Sequence, residues 1–411
     1  MRGYLDSFHT PKIVFGNQDA KYFIKADLLF YFAILWPFFA LIIYDLTFIN
    51  LVPITYLAGL MLLALALYDR YLYKPLELMM LIGITYSVIL IGIKIIIGSY
   101  DFLNIIKIFS SIGIAAYFIK FSIKGFRSFA IFASILVFVS FYLVGFLYGI
   151  VGGNAGIGFS YHDSGIFILI LWSMLILKSN RDFSLYINLF FLLLVLFLTG
   201  RTQIIIGMYI FLFALWPIFK KQNVLGKFYL TLFLFPTIVG IVFFPSQILD
   251  ALSNFYFLND IISRGIGITF DADGANSFDE NLRLFVWNCY IINFDLNTII
   301  YGHNEIINEC VSQTWEEAYD MPILQYENSF IRMNQESGIA AVLFVFIFIF
   351  SIIYSLFKKD LFIAGLIFLF VIRATTGDIF LFYYKDYILF IILTYAFYEK
   401  SRVYNQHQEK K

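Results

Sequence analysis

The amino-acid sequence predicts an all-α polytopic membrane protein with about twelve transmembrane helices. Of its 411 residues, 61% are apolar and only 14% are charged, whereas soluble globular domains carry roughly 25% charged residues. The mean hydropathy is +0.84. Such a chain cannot cover a water-facing surface, which excludes a soluble enzyme, a secreted disulfide scaffold and a disordered protein. Its apolar stretches run unbroken instead of alternating, which also argues against a porin-like barrel.

Twelve apolar stretches are near or above the length that crosses about 30 Å of hydrocarbon. Those that begin at residues 164 and 361 are short, which suggests tilted or partly buried helices. Spans one to nine fill residues 27–244, and spans ten to twelve fill residues 337–397. The remaining parts are an N-terminal segment (1–26), a long loop (245–336) and a tail (398–411). The stretches lie at 27–47, 51–68, 75–97, 102–121, 128–150, 164–177, 183–198, 202–219, 224–244, 337–357, 361–372 and 379–397.

The basic residues predict the orientation of these spans. With the N-terminus in the cytoplasm, cytoplasmic segments hold 20 of the 28 lysines and arginines, as the positive-inside rule requires. An even number of spans places both termini inside, and residues 1–26 lack the pattern of a cleaved signal peptide. We therefore expect a multi-pass membrane protein whose termini lie in the cytoplasm and whose long loop lies on the outer side of the membrane.

The loop at 245–336 departs from the rest of the chain. It holds three arginines against fourteen acidic residues, a net charge of −11, and it has no lysine. Ser277 and Glu280 have the spacing of a capping box, and Phe278, Leu282, Phe285, Cys289 and Ile292 then form one apolar stripe. This helix is expected to lie on the membrane surface or against the bundle. The two cysteines, Cys289 and Cys310, are compatible with one disulfide or with two free thiols.

Several cations fall near the outer ends of spans, where ionisable groups are costly and often functional. Arg201 lies in LFLTGRTQIIIG with almost no loop around it, and a guanidinium there can grip a phosphate through two hydrogen bonds. Lys94, Lys107 and Arg373 could line a cationic cavity for an anionic headgroup, although each lysine could instead reach the interface singly.

Two polar segments supply further candidates. In the Gly-rich loop 151–165, His162 and Asp163 could bind sugar hydroxyls, or the glycines could simply shape a turn. In YENSFIRMNQESGI, Glu327 is a candidate general base, and Asn328 and Arg332 are candidate substrate-binding residues. The simpler alternative there is an Arg332–Glu336 pair that stabilises the helix at the surface.

These features together resemble the O-antigen polymerase and ligase superfamily of bacterial inner membranes. The resemblance rests on the topology, on LTGRTQ, on the helix with Arg283 and Trp287 followed by NTIIYGHNE, and on Glu327-Asn328 followed after nine residues by Gly338. Ligases carry a His where this chain has Glu327. Polymerases (Wzy-type) often carry an acidic residue there, so the resemblance favours the polymerases.

The resemblance implies a GT-C-like membrane fold and a glycosyltransferase without a cofactor or an essential metal. The acidic loop could nevertheless bind a divalent ion. A polymerase moves the growing glycan from undecaprenyl pyrophosphate to the non-reducing end of a new lipid-linked repeat unit. Arg201, Arg283 and Glu327 would be the catalytic residues, and His303 is a further substrate-binding candidate. Membrane lipid, a chain-length regulator and a flippase are expected partners, and nucleic acid is not. The alternatives are an O-antigen ligase and a flippase or exporter of lipid-linked oligosaccharide.

Overall fold

The computed structural model of the chain describes fifteen segments, which make up a helical bundle and part of the loop 245–336. In these segments every regular element is an α-helix and none is a strand, which confirms the all-α class and agrees with a helical membrane protein. The segments are residues 17–47, 49–68, 74–98, 103–121, 123, 125–147, 161–178, 187, 190–191, 194, 286–302, 304–319, 328–358, 360–375 and 386–398.

The described helices fall into three groups along the chain. The first six are α1 (Asn17–Thr47), α2 (Pro53–Tyr68), α3 (Lys74–Ile96), α4 (Leu103–Lys120), α5 (Phe126–Leu147) and α6 (Tyr161–Lys178). The second group, here called the lobe, comprises α7 (286–292), α8 (Leu296–Tyr301) and α9 (Glu305–Tyr319). The last four are α10 (Ser329–Ser337), α11 (Ile339–Phe357), α12 (Leu361–Thr375) and α13 (Tyr387–Phe397).

Nine of the twelve predicted apolar stretches overlap helices of the bundle. Among the described residues, α3, α4 and α11 are long and apolar enough to cross a membrane, and α2, α13 and parts of α1, α5 and α6 are shorter apolar helices. The stretches at 202–219 and 224–244, and most of 183–198, lie outside the described residues. Beyond its first turn, the exposed side chains of α3, such as Leu81, Val88 and Ile95, are apolar, as expected for a surface that contacts lipid.

Helix α4 is the centre of the bundle, and small residues let α2 approach it closely. Its residues 110–120 are all buried. A side chain at Gly113 would come within 2.8 Å of the Leu63 backbone nitrogen, and one at Gly59 would come within 2.6 Å of the Ser110 carbonyl oxygen. Close backbone approach at glycine is a common source of stability between membrane helices, because no hydrophobic force acts between them in lipid.

Lysines at one end of the bundle cap the C-termini of neighbouring helices. Lys120, at the end of α4, donates to the carbonyl of Ala66 in the last turn of α2 at 2.9 Å. Lys178, at the end of α6, donates to the Phe118 carbonyl of α4 at 2.7 Å. Lys358, directly after α11, donates to the Phe397 carbonyl of α13 at 3.2 Å. These bonds satisfy carbonyls that a helix end leaves without partners.

The same contacts show that five helices run in one direction. The lysine contacts bring together the C-termini of α2, α4 and α6, and separately those of α11 and α13. At the other end of the bundle, Asn104 near the start of α4 contacts Glu336 just before α11. The three capping lysines therefore lie at one end of the bundle, and the lobe joins the other end.

The two described residues of the predicted apolar stripe differ in exposure. Helix α7 packs through Val286 and Cys289 against Ile307 and Val311 of α9, whereas Ile292 is 78% exposed. Ser277, Phe278, Glu280, Leu282 and Phe285 lie outside the described residues.

Candidate functional site

Four polar side chains form a network where α4, α10 and the start of α11 meet. Arg332 Nε donates to Glu336 Oε1 at 2.8 Å, and Asn104 Nδ2 donates to Glu336 Oε2 at 3.1 Å. Lys107 Nζ in turn donates to Asn104 Oδ1 at 3.2 Å. We call these residues the α4–α10 network. It joins two substrate-binding candidates, Lys107 and Arg332, that lie on different helices.

The network is partly accessible. The Arg332 and Glu336 side chains are 21% and 29% exposed, and Asn104 is buried. The network thus holds two cations close to one carboxylate. Cationic donors in a partly desolvated position can bind an anionic ligand such as a phosphate. The predicted Arg332–Glu336 pair is confirmed, and it belongs to an interhelical network instead of standing alone on a helix surface.

Helix α10, which carries Arg332 and Glu336, begins at a side-chain cap. Asn328 has an extended backbone, and its carboxamide oxygen accepts from the amides of Phe330 at 2.9 Å and Ile331 at 3.2 Å. An asparagine in this position satisfies amide donors that the first turn cannot pair internally. The cap sets where α10 begins, so Arg332 and Glu336 follow at fixed positions one turn apart.

Two glycines hold the lobe against the junction of α10 and α11. Gly302 ends α8 with φ +78°, and Gly338 separates α10 from α11 with φ +55°. A side chain at Gly302 would lie 2.5 Å from the Asn334 carbonyl oxygen, and one at Gly338 would strike the carbonyls of Ile300 and Tyr301. Both conformations favour glycine. The turn after NTIIY and the glycine after Glu327-Asn328, which carried the family resemblance, thus lie against each other.

Asn334 completes this junction from the inner side of α10. Its Oδ1 accepts from the Tyr290 hydroxyl at 2.8 Å, and its Nδ2 donates to the Ile299 and Gly338 carbonyls, each at 3.3 Å. Burial raises the pKa of Tyr290 to about 12, so its hydroxyl remains a proton donor at neutral pH. One side chain therefore links α7, α8 and α11.

A disulfide joins the two ends of the lobe. Cys289 of α7 and Cys310 of α9 are bonded, and 21 positions separate them in sequence. The sequence alone was compatible with a disulfide or with two free thiols, and the structure has the disulfide. Because α7 and α9 are crosslinked, the apolar contacts of the lobe and its junction with α10 act as one unit.

Two buried N–H groups beside α10 have no hydrogen-bond acceptor among the described residues. These are Nε1 of Trp287 on α7 and Nε2 of Gln335 on α10. The Gln335 oxygen, by contrast, accepts from the amide of Asn304 at 3.1 Å. Buried donors without a partner cost free energy, and they often mark a place where a ligand or water supplies the acceptor. Glycan hydroxyls and phosphate oxygens are such acceptors.

A second polar contact lies deeper in the bundle, at the end of α10. The Tyr86 hydroxyl of α3 and the Ser337 hydroxyl are 2.8 Å apart, and both residues are fully buried. Asp386, at the start of α13, is 3% exposed, and it acts electrostatically on Tyr86 together with Glu336. These contacts fix the end of α10 against the membrane helices.

The other sequence-predicted candidates are placed only in part. Lys94 is partly exposed in the last turn of α3, His162 and Asp163 lie in the first turn of α6, and Arg373 lies in the last turn of α12. Four further candidates lie outside the described residues: Arg201, Arg283, His303 and Glu327. In the described ranges, no three His, Cys, Asp or Glu side chains converge as metal ligands.

Sequence reasoning missed four polar residues at this junction. Asn104 and Ser337 lie close in sequence to the predicted candidates Lys107 and Arg332. Each is a polar residue at the end of a span, and this position was the signal that could have identified it. Tyr86 and Asp386 had a weaker signal, since tyrosines are frequent in this chain and Asp386 follows a lysine.

Comparison with known proteins assigns no family to the chain. No protein-family model, no curated protein and no solved structure shows a significant match to it.

Proposed function

We propose that this chain is a Wzy-type O-antigen polymerase, a glycosyltransferase that extends a lipid-linked glycan at the periplasmic face of the bacterial inner membrane. The observation that carries the proposal is the α4–α10 network, in which Lys107 and Arg332 converge on Asn104 and Glu336. A transferase that uses a lipid pyrophosphate donor needs cations at the membrane boundary, where the pyrophosphate lies. An arginine can bind such an oxyanion through two parallel hydrogen bonds.

The disulfide supports the sidedness that this function requires. Disulfides persist in oxidising compartments such as the periplasm and are rare in the cytosol, and Cys289 and Cys310 are bonded in the lobe. The capping lysines lie at the opposite end of the bundle, where the positive-inside rule expects them. The proposal therefore includes a periplasmic lobe, cytoplasmic termini, about twelve spans and a GT-C-like arrangement.

In the proposed reaction, a hydroxyl oxygen of the new repeat unit attacks the anomeric carbon of the growing chain. The bond from that carbon to the pyrophosphate oxygen breaks, and undecaprenyl pyrophosphate leaves with the electron pair. Glu327, the residue before the α10 cap, accepts the hydroxyl proton. Arg201, Arg283, Arg332 and Lys107 stabilise the charge that develops on the pyrophosphate. Chemistry of this kind requires no nucleotide sugar and no redox cofactor.

The first experiment identifies the class of activity. Lipopolysaccharide from a strain that lacks this chain is separated on a gel. A polymerase deletion leaves core plus one repeat unit, and complementation restores the ladder. Bare core would instead identify a ligase, and accumulation of lipid-linked units on the cytoplasmic face would identify a flippase. Either result would overturn the proposal.

The second experiment separates substrate binding from a structural role for Arg332. Replacement of Arg332 by Glu together with Glu336 by Arg keeps an ion pair between these two positions and reverses its direction. We expect a folded protein, judged by its disulfide and melting temperature, that makes no ladder. The matched control is Gln313→Ala on an exposed face of α9, which should polymerise normally. A full ladder from the swapped pair would show that the charges serve only the fold.

A further inference from the structure

Four large apolar side chains are exposed in a short stretch of the lobe. They follow one another within six residues at the end of α7 and the start of α8. Their exposed fractions are 65% for Ile291, 78% for Ile292, 46% for Phe294 and 69% for Leu296. We call this stretch the apolar rim. Exposed apolar clusters of this kind mark surfaces that contact a membrane or another molecule.

Charged side chains are distributed unevenly in the lobe. From residue 286 to residue 304 the only charged side chain is Asp295, and its carboxylate accepts from the backbone and hydroxyl of Thr298 at 2.6 Å. Helix α9, by contrast, exposes Glu305, Glu309 and Glu316. These glutamates are spaced by four and seven residues, so they share one face of the helix. The lobe thus has an apolar edge and a separate acidic face.

The junction of glycines fixes the height of the apolar rim relative to the membrane helices. Gly302, at the end of α8, packs against Gly338 at the start of α11. Helix α11 is one of the described helices that can cross a membrane. Its first residue, Ile339, is 42% exposed. Since α8 spans only six residues, or about 9 Å, the rim lies close to the end of the hydrocarbon region.

We propose that the four side chains of the apolar rim are inserted among the acyl chains of the adjacent membrane leaflet, while the Asp295 carboxylate stays at the level of the headgroups, so that the lobe lies on the membrane surface with its acidic face toward water. An element with one apolar edge and one charged face binds at the interface in this way. The rim is separated only by α8 from Gly302, which packs at the start of a helix that can cross a membrane, and this proximity favours lipid as the occupant. A second copy of the chain is a weaker candidate, since stable interfaces use roughly 20–30 residues per side.

A site-specific photocrosslinker tests this proposal. Benzoylphenylalanine is placed at Ile292 or Leu296 in the rim, or at Gln313 on α9 as the matched control, because all three positions are exposed. Each full-length variant is reconstituted into phosphatidylethanolamine–phosphatidylglycerol vesicles, and an intact disulfide confirms that the lobe is folded. After illumination, mass spectrometry counts adducts to phospholipid and to protein.

We expect phospholipid adducts at positions 292 and 296 to exceed those at 313 at least tenfold. Equal lipid labelling at 292 and 313, or no lipid adduct at 292, would overturn the proposal. A crosslink at 292 between two copies of the chain would also overturn it and would identify the rim as a protein interface. None of these outcomes depends on polymerase activity, so the proposed function and the membrane contact fail separately.

Discussion

Replacement of Gly338 by alanine should release the lobe from the membrane helices. Gly338 has φ +55°, and its added Cβ would meet the carbonyls of Ile300 and Tyr301, which belong to the backbone and cannot rotate away. The left-handed conformation costs an alanine about 1–2 kcal/mol, and forced overlap in a packed site costs roughly 1–3 kcal/mol more. The substitution should therefore weaken the docking of α8 by about 2–5 kcal/mol.

Gly98→Ala is the matched control for this substitution. Gly98 has φ +70°, but no atom lies within 4 Å of the position that a Cβ would occupy. Its replacement therefore carries the cost of the backbone conformation without the steric overlap. It should lower the melting temperature slightly and leave the lobe unchanged.

The loss of docking is measured by amide hydrogen exchange in α8, with exchange in the buried helix α13 as the internal reference. Since each 1.4 kcal/mol corresponds to a factor of ten, Gly338→Ala should speed exchange in α8 by roughly 30-fold to several thousand-fold. Exchange in α13 should change far less. If α8 in Gly338→Ala exchanges within twofold of the wild type, the junction of glycines does not hold the lobe, and the reasoning is refuted.

Three further predictions concern single contacts. Replacing Cys289 and Cys310 by serine should destabilise the lobe by roughly 3 kcal/mol, seen as faster exchange in α7 and α9. Tyr86→Phe leaves a buried hydroxyl unpaired and should cost about 1–3 kcal/mol in chemical denaturation, whereas adding Ser337→Ala should recover most of it. Hydrogen bonds lower the pKa of Asp295, so its capping of α8 is complete above the ordinary carboxyl pKa of about 3.9. The stabilisation from this cap is lost as the pH falls through the lowered pKa of Asp295 in the folded state. Amide hydrogen exchange in α8, followed as the pH is lowered, measures this loss.

Each of these predictions has an outcome that contradicts it. A lobe whose exchange is the same with and without the cysteines would show that packing alone holds α7 on α9. A double variant at Tyr86 and Ser337 no more stable than Tyr86→Phe would show that their hydrogen bond is not the relevant contact. If Asp295→Asn, which keeps a capping oxygen without a titrating group, shows the same acid response as the wild type, another group is responsible.

The helices themselves could be predicted from the sequence because the bilayer imposes a simple rule. Every backbone group within it needs an internal partner, so a long apolar run must become a helix. The Arg332–Glu336 pair was equally accessible, because residues four apart on a helix are neighbours. Local periodicity and composition were sufficient for both.

The assembly of the site could not be predicted in the same way. Asn104 and Glu336 are 232 positions apart, and their contact depends on which apolar helix packs beside which. Lipid-facing and helix-facing positions are both apolar in a membrane protein, so hydrophobic periodicity carries little information on this order. Ile292 illustrates the same limit on prediction. It belongs to the same apolar stripe as the buried Cys289, and yet its side chain is exposed.

The capping lysines have a consequence for the surface potential of the protein. During insertion, an unfolded loop presents Lys120, Lys178 and Lys358 as positive charges that resist translocation. In the folded bundle each ammonium group donates to a helix carbonyl, and Lys120 is only 6% exposed. The buried charge of Lys120 is thus withdrawn from contact with anionic headgroups, whereas Lys358 stays exposed. The surface at this end of the bundle should therefore attract acidic lipids less than a count of its basic residues suggests.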